Sequence, residues 1–495
     1  MNNSGNALLS DGGIIFFILY LCSLLLVGLW GRYKRKENTL SDFYLSGRGM
    51  GLFVLFLTLY ATQYSGHTLI GFPGQAYRQG YMFLMSVTLM MAVIGAYLMY
   101  APKLQKLSKK YNFITIGDYI QHRFKSEWFT IAVTISCIIA LANFILTNLK
   151  AVGYIVEAAT GGYISFEYGI ILLSIIMIIY ETLGGMRSVA WTDTIQGILL
   201  FIGVAAIFIV INIHYGGMGE IADKLMNTKP EFWKPPSIEG KTLWFSTILI
   251  FMFGVSVYPH AIQRIYSAKN AKVLKRSLQI MIFMPLVTTF FMFVVGIVGA
   301  AEIPGLSKAE SDGITLLLLQ KMSHNIPGIS IIITLFITAA TAAIMSTIDS
   351  ALLAISSLFT QDIYRRYKKT EDQKLLTMTG KIFSWFVMAV MAYLAIVLPQ
   401  TIWRITEIKL ELLCQVAPAL FLGINMKKLE MKPIALGFIL GTVTAVLIMM
   451  LSMTIGIPAK PLGIHAGIWG LIINIVTLFI YQKKINYSTG ENPVQ

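Results

Sequence analysis

Acidic residues are scarce in this 495-residue sequence: 24 Asp and Glu stand against 39 Lys and Arg, for a formal charge of +15. Charged residues of both signs make up only 13%, about half the share of a soluble domain, so a large water-facing surface is excluded. Cysteine is nearly missing as well. Cys22, Cys137 and Cys414 form no CxxC pair, which argues against a disulfide framework or a cysteine metal cluster. The 6 histidines show no zinc spacing. No nucleophile–His–acid set stands out, so enzymatic chemistry is not expected. Residues 1–12 carry no Lys or Arg, and the cationic start of a cleavable signal peptide is therefore lacking.

Apolar sequence fills the chain instead. Hydrophobic residues account for 56%, with a mean hydropathy of +0.70. About thirteen stretches, from 13–31 to 464–482, have the ~20 apolar residues needed to cross ~30 Å of hydrocarbon. The expected fold class is an all-α polytopic membrane protein, a single domain over 1–495. Basic clusters at Arg32–Lys36, Lys103–Lys110, Lys269–Arg276, Arg365–Lys369, Lys427–Lys428 and Lys483–Lys484 fall in alternate loops. The positive-inside rule makes those loops cytoplasmic, with the N-terminus outside and the C-terminus inside a plasma (inner) membrane. The basic charge thus reads as topology with some attraction to anionic lipid. Nucleic acid is not an expected partner, and no obligate protein partner is indicated.

Polar residues inside apolar spans carry the functional signal. In TAAIMSTIDSALLAIS (341–356), Ser346 and Thr347 are adjacent hydroxyls with Asp349 less than a turn away. A lipid-facing helix has no use for them, because uncompensated polar groups are costly in hydrocarbon. Oxygen ligands at this density suit a hard cation such as Na⁺. A lone Ser or Thr would more simply bond back to its own helix.

Two spans also contain helix breakers. Span 50–76 holds ATQYSGHTLIGFPG, with Ser65-Gly66 at its middle and Pro73-Gly74 near its end; span 242–266 holds FGVSVYPHAIQR, with Gly254 and Pro259. Each alone reads equally well as a kink. Together they sit at similar depths and about five spans apart, hence in opposite directions, and paired interrupted helices of this kind point to a binding site at the bilayer midplane. The expected division is a leading segment 1–49, inverted halves 50–214 and 242–425, and a C-terminal segment 426–495.

GGMRSVAWTDTIQG (184–197), AAIMSTIDSALL (342–353), FPGQAYRQGY (72–81), YPHAIQR (258–264) and YNFITIGDYIQHRF (111–124) together resemble the sodium/solute symporter family, most clearly over 40–425. Within it the chain looks most like the pantothenate and proline branches. The resemblance implies a leucine-transporter-type fold with inverted five-helix repeats, and sodium-coupled symport of a small organic solute. It implies a Na⁺ site made by the carbonyls of Ala61, Tyr64 and Ala343 and the hydroxyls of Ser346 and Thr347. It also implies a possible second cation position at Asp193 with Ser350 and Ser346. Asp349 stands where the family has a small hydroxyl residue, so a second cation site, or a proton-titratable one, is expected at Asp193/Asp349; salt-bridging of Asp193 to Arg187, with Asp349 facing cytoplasmic water, is the plainer alternative.

Gln63 replaces the Asp typical of the proline branch, leaving uncharged Gln63, Ser65 and Thr68 to face the solute, suited to a carboxylate or amide. Phe251 and Tyr258 flank the second break as an aromatic gate, and Asn143 and Thr147 lie one turn apart with Phe144 beside them. Taken singly, each of these reads more simply as packing. Glu407 and Glu411, with Lys409 between them, read as a solvated helix start, and His67 and His260 as structural. Rival readings are a proton-coupled or uncoupled permease of the same fold, a transporter-like sensor, or a channel; a channel calls for a continuous lined pore.

Overall fold

The computed structural model describes residues 7–33, 39–398 and 402–488. Residues 1–6 and the basic Lys34, Arg35 and Lys36 lie outside these. Helices make up nearly all of the described chain, and its only ladder pairing is an isolated bridge between Met50 and Ala268. The main helices are α1 (Asp11–Tyr33), α2 (Leu52–Gln63), α3 (Phe72–Gln79), α4 (Met85–Tyr111), α5 (Glu127–Ala159), α6 (Phe166–His214), α7 (Ile238–Val255), α8 (Pro259–Ser267), α9 (Thr288–Glu302), α10 (Ser330–Leu358), α11 (Gln373–Val397), α12 (Ile402–Leu413), α13 (Ala417–Asn425), α14 (Met431–Thr454) and α15 (Ala466–Ser488).

Among the described residues 10 helical runs are long and apolar enough to cross a membrane, where the sequence divides into about thirteen stretches of ~20 residues. The broken helices and the short α12 account for part of the difference. Fusion accounts for more: α6 runs for 49 residues, about 74 Å at 1.5 Å per residue, over twice the ~30 Å of hydrocarbon. It turns at Gly185, whose φ of +59° sits in left-handed space that residues with a Cβ rarely adopt.

Burial separates the inside of the bundle from its lipid-facing rim. The apolar window of α10 is 83% buried, that of α1 only 22%. Leu447 and Met450 on α14 and Ile15 and Leu19 on α1 are exposed apolar side chains, as expected of helices bathed in acyl chains. α10 packs against α5, α6, α8 and α11, so its Ser346–Ser350 segment lies at the centre.

Both helix breaks form, and both are repaired by side chains from other helices. α2 ends when Tyr64 turns extended (φ −102°, ψ 109°) and its N–H closes on the Tyr60 carbonyl at 3.2 Å. The Gly66 N–H donates to Asn148 Oδ1 on α5 at 3.0 Å, and a π turn over His67–Gly71 leads into α3. Pro73 lies within the first turn of α3 rather than at a break, a position where its missing N–H is not needed. α7 ends at Val255 and α8 begins at Pro259. The freed Val255 carbonyl accepts from Tyr97 Oη at 3.0 Å, and that of Ser256 accepts from Tyr100 Oη. In hydrocarbon such groups need protein partners.

Candidate functional site

The end of α2 faces α10. The last carbonyls of a helix have no partner within it, and since Tyr64 N–H takes that of Tyr60, those of Ala61, Thr62 and Gln63 follow unclosed. Ala61 and Tyr64 are fully buried, as are Ala343, Ser346 and Thr347 on α10. Thr347 Oγ1 has no hydrogen-bond partner despite full burial, and an orphan oxygen there suits a small cation. Ser346 Oγ donates to Asp193 Oδ1 of α6 at 2.5 Å, which leaves its lone pairs available.

Asp193 is held differently from the arrangement expected with Arg187. Its counter-charge is Arg264 of α8, with Nη2 2.8 Å from Oδ2 and both side chains fully buried. Thr58 Oγ1 donates to the same Asp193 oxygen and accepts from Arg264 Nε at 2.9 Å. Arg264 Nη2 also donates to Ser350 Oγ, whose own hydroxyl donates to the Ser346 carbonyl at 2.6 Å. A guanidinium therefore bridges Asp193 and Ser350, where the resemblance implied a second ion. Arg187 pairs with Asp42 at 2.5 Å instead. Asp349 is fully buried rather than facing water; it accepts from Tyr180 Oη, and its Oδ1 has no partner.

A small cavity adjoins this region. Gln63, Ser65, Thr68, Phe251 and Tyr258 line it, joined by Phe144, Thr406 and Lys409. Its free volume is about 20 Å³, room for about one water. Asn143 and Thr147 are not part of the lining. Thr147 Oγ1 donates back to the Asn143 carbonyl at 3.0 Å, and it is the intervening Phe144 that reaches the cavity. His260 stacks on Phe144 at 5.3 Å between ring centroids, and His67 lies edge-on to Phe72 at 4.7 Å.

The solvated helix start expected around Glu407 does not occur. Glu407, Lys409 and Glu411 are all buried, because the chain between α14 and α15 covers that end of α12. Glu407 accepts from Lys460 at 2.6 Å and Arg404 at 3.2 Å, and Glu411 lies 3.5 Å from His465 Nδ1. Lys409 points the other way. Sequence reasoning passed over Thr58, Asn148, Tyr180, Arg264 and the inward role of Lys409. An intramembrane Arg or Lys is the signal that could have found two of them. Thr58, Asn148 and Tyr180 gain meaning only from partners far away in sequence.

The sodium:solute symporter family matches residues 43–457. The sodium/pantothenate symporter of Haemophilus influenzae is 27% identical over 79% of this chain and 80% of its own length. The sodium/proline symporter of Staphylococcus aureus is 29% identical over 76% and 74%. The solved structure of a Na⁺-coupled sialic acid symporter superposes with a TM-score of 0.76, at 22% identity, covering 95% of this chain and 97% of that one, and so shares the fold. With a match across most of its length, this chain belongs to the sodium:solute symporter family.

Proposed function

We propose that the chain carries a small organic acid or amino acid together with Na⁺ by alternating access, with the ion at Ala61, Tyr64, Ala343, Ser346 and Thr347. The observation that carries this is the fully buried Thr347 hydroxyl, without a partner, on the helix α10 that packs against α2. Such neutral oxygens suit a monovalent cation. At Asp193 and Ser350 the positive charge is Arg264's own, which supports one Na⁺ per cycle rather than two.

The solute binds next to the ion because Gln63 and Ser65 are neighbours in sequence of the residues whose carbonyls face Na⁺. Inverted halves 50–214 and 242–425 then rock about this site. Read with the basic loops, the N-terminus is outside and the C-terminus inside the plasma membrane. Each inward Na⁺ gains about 2.3 kcal/mol per 100 mV.

Uptake in proteoliposomes of labelled pantothenate, proline, short monocarboxylates and sugars, with and without an inward Na⁺ gradient, tests this. The expected result is Na⁺-driven uptake that Ser346→Ala/Thr347→Ala abolishes. The runner-up, proton coupling, is favoured by the unpartnered Asp349 Oδ1. Uptake driven by a pH gradient and untouched by the double substitution would replace the Na⁺ assignment with it.

A further inference from the structure

We infer that Lys409 is the counter-charge of the transported solute, and that this solute is a monocarboxylate without a compensating ammonium group. The inference rests on the symport reading above and narrows its solute.

Lys409 is 1% exposed, lines the cavity, and its Nζ has no hydrogen-bond partner. The ammonium instead lies over aromatic faces, 3.7 Å from the Phe144 ring centroid and 5.4 Å from that of Tyr258. Cation–π contact returns about 0.5–2 kcal/mol, well short of the hydration an ammonium gives up on burial. The neighbouring carboxylates do not answer it. Glu407 and Glu411 lie two residues to either side, about 200° around the helix, and are engaged by Lys460, Arg404 and His465.

One turn back on the same face, Thr406 also lines the cavity, and its Oγ1 is likewise buried without a partner. Two donors therefore converge on one space, and an anion with two oxygens, such as a carboxylate, satisfies both. No Asp or Glu is among the described residues lining this cavity. The ammonium of a zwitterion would thus meet Lys409 as a like charge in a low-dielectric space with no carboxylate to offset it. A monoanion whose remaining body meets Phe251, Tyr258 and Gln63 fits the chemistry; a zwitterionic amino acid does not.

The test uses the full-length protein in proteoliposomes, with lactate and pantothenate as acid probes, lactamide and pantothenol as their neutral counterparts, and proline as the zwitterion. An acid probe should be taken up with Na⁺, with its neutral counterpart and proline at least about tenfold weaker. Lys409→Met should lower apparent affinity for the acid roughly 10- to 100-fold, the loss of a charge-assisted contact, and Lys409→Arg should retain most of it. The rise in melting temperature on replacing choline with Na⁺ should persist in Lys409→Met, because the ion's ligands are elsewhere.

Uptake of the acid at wild-type affinity by Lys409→Met overturns the inference, as does a wild-type preference for proline or a neutral probe. Should Lys409→Met fail to fold, the wild-type comparison of acid with neutral counterpart decides alone. Uptake of the acid that depends on Lys409 but not on Na⁺ would sink the symport reading and leave the inference standing.

Discussion

Asp193 and Arg264 form an ion pair, each side chain fully buried and each bonded to further hydroxyls. Removing both charges from such a pair is often neutral, whereas removing one leaves the other stranded. Asp193→Asn or Arg264→Gln should therefore each destabilise the protein by about 3–5 kcal/mol. Asp193→Asn/Arg264→Gln should lose much less than the sum, a coupling that a double-mutant cycle on thermal unfolding reads directly. Additive losses would show that the pair does not act as a unit. Ser346 feels the same network, since its hydroxyl donates to Asp193. Charge changes at Asp193 should accordingly alter the apparent Na⁺ affinity as well as the melting temperature.

At the scale of the element, the first break depends on contacts that α2 does not make itself. Gly66 approaches its neighbours so closely that an added Cβ would lie 2.6 Å from Ala151 Cβ and 2.8 Å from Ile344 Cγ1. Gly66→Val should push the broken helix off α5 and α10 and abolish Na⁺-driven uptake, with retained uptake as the contrary result. The Gly66 N–H freed by the break is satisfied by Asn148. Asn148→Ala strands that donor in a buried setting, at a cost of about 1–3 kcal/mol. Its melting temperature should fall, and by more than that of Asn143→Ala, whose side chain does not cap the break.

At the scale of the whole molecule, the end of α2 supplies carbonyls to the proposed ion site and side chains to the proposed solute cavity within a few residues. Ordering that end for one ligand orders it for the other. Na⁺ should raise solute affinity, and solute should raise Na⁺ affinity, by the same factor, since coupling free energy is reciprocal. Equilibrium titration of each ligand at saturating and zero concentration of the other gives both factors; unequal values would require a further bound ion or proton.

The sequence by itself determined the class of molecule. Hydropathy, the scarcity of charge and cysteine, and the rhythm of basic loops leave an all-α membrane protein, because backbone in hydrocarbon must satisfy its own hydrogen bonds. Ser65-Gly66 and Pro259 marked where the helices are interrupted, since Gly and Pro have local effects on backbone, and the matching depth of the two spans favoured breaks over kinks. Ser346 and Thr347 stood out for the same local reason, polar groups in an apolar run.

What only the tertiary structure decided was pairing. Arg187 is the neighbour that the sequence offers to Asp193; packing of α8 against α2 and α10 selects Arg264 instead. Lys409 and its flanking glutamates read as one solvated patch until the α14–α15 connection covered one face of α12 and left the other to the cavity. Electrostatic partners are fixed by distances of a few ångströms between residues far apart along the chain, and that information resides in the fold.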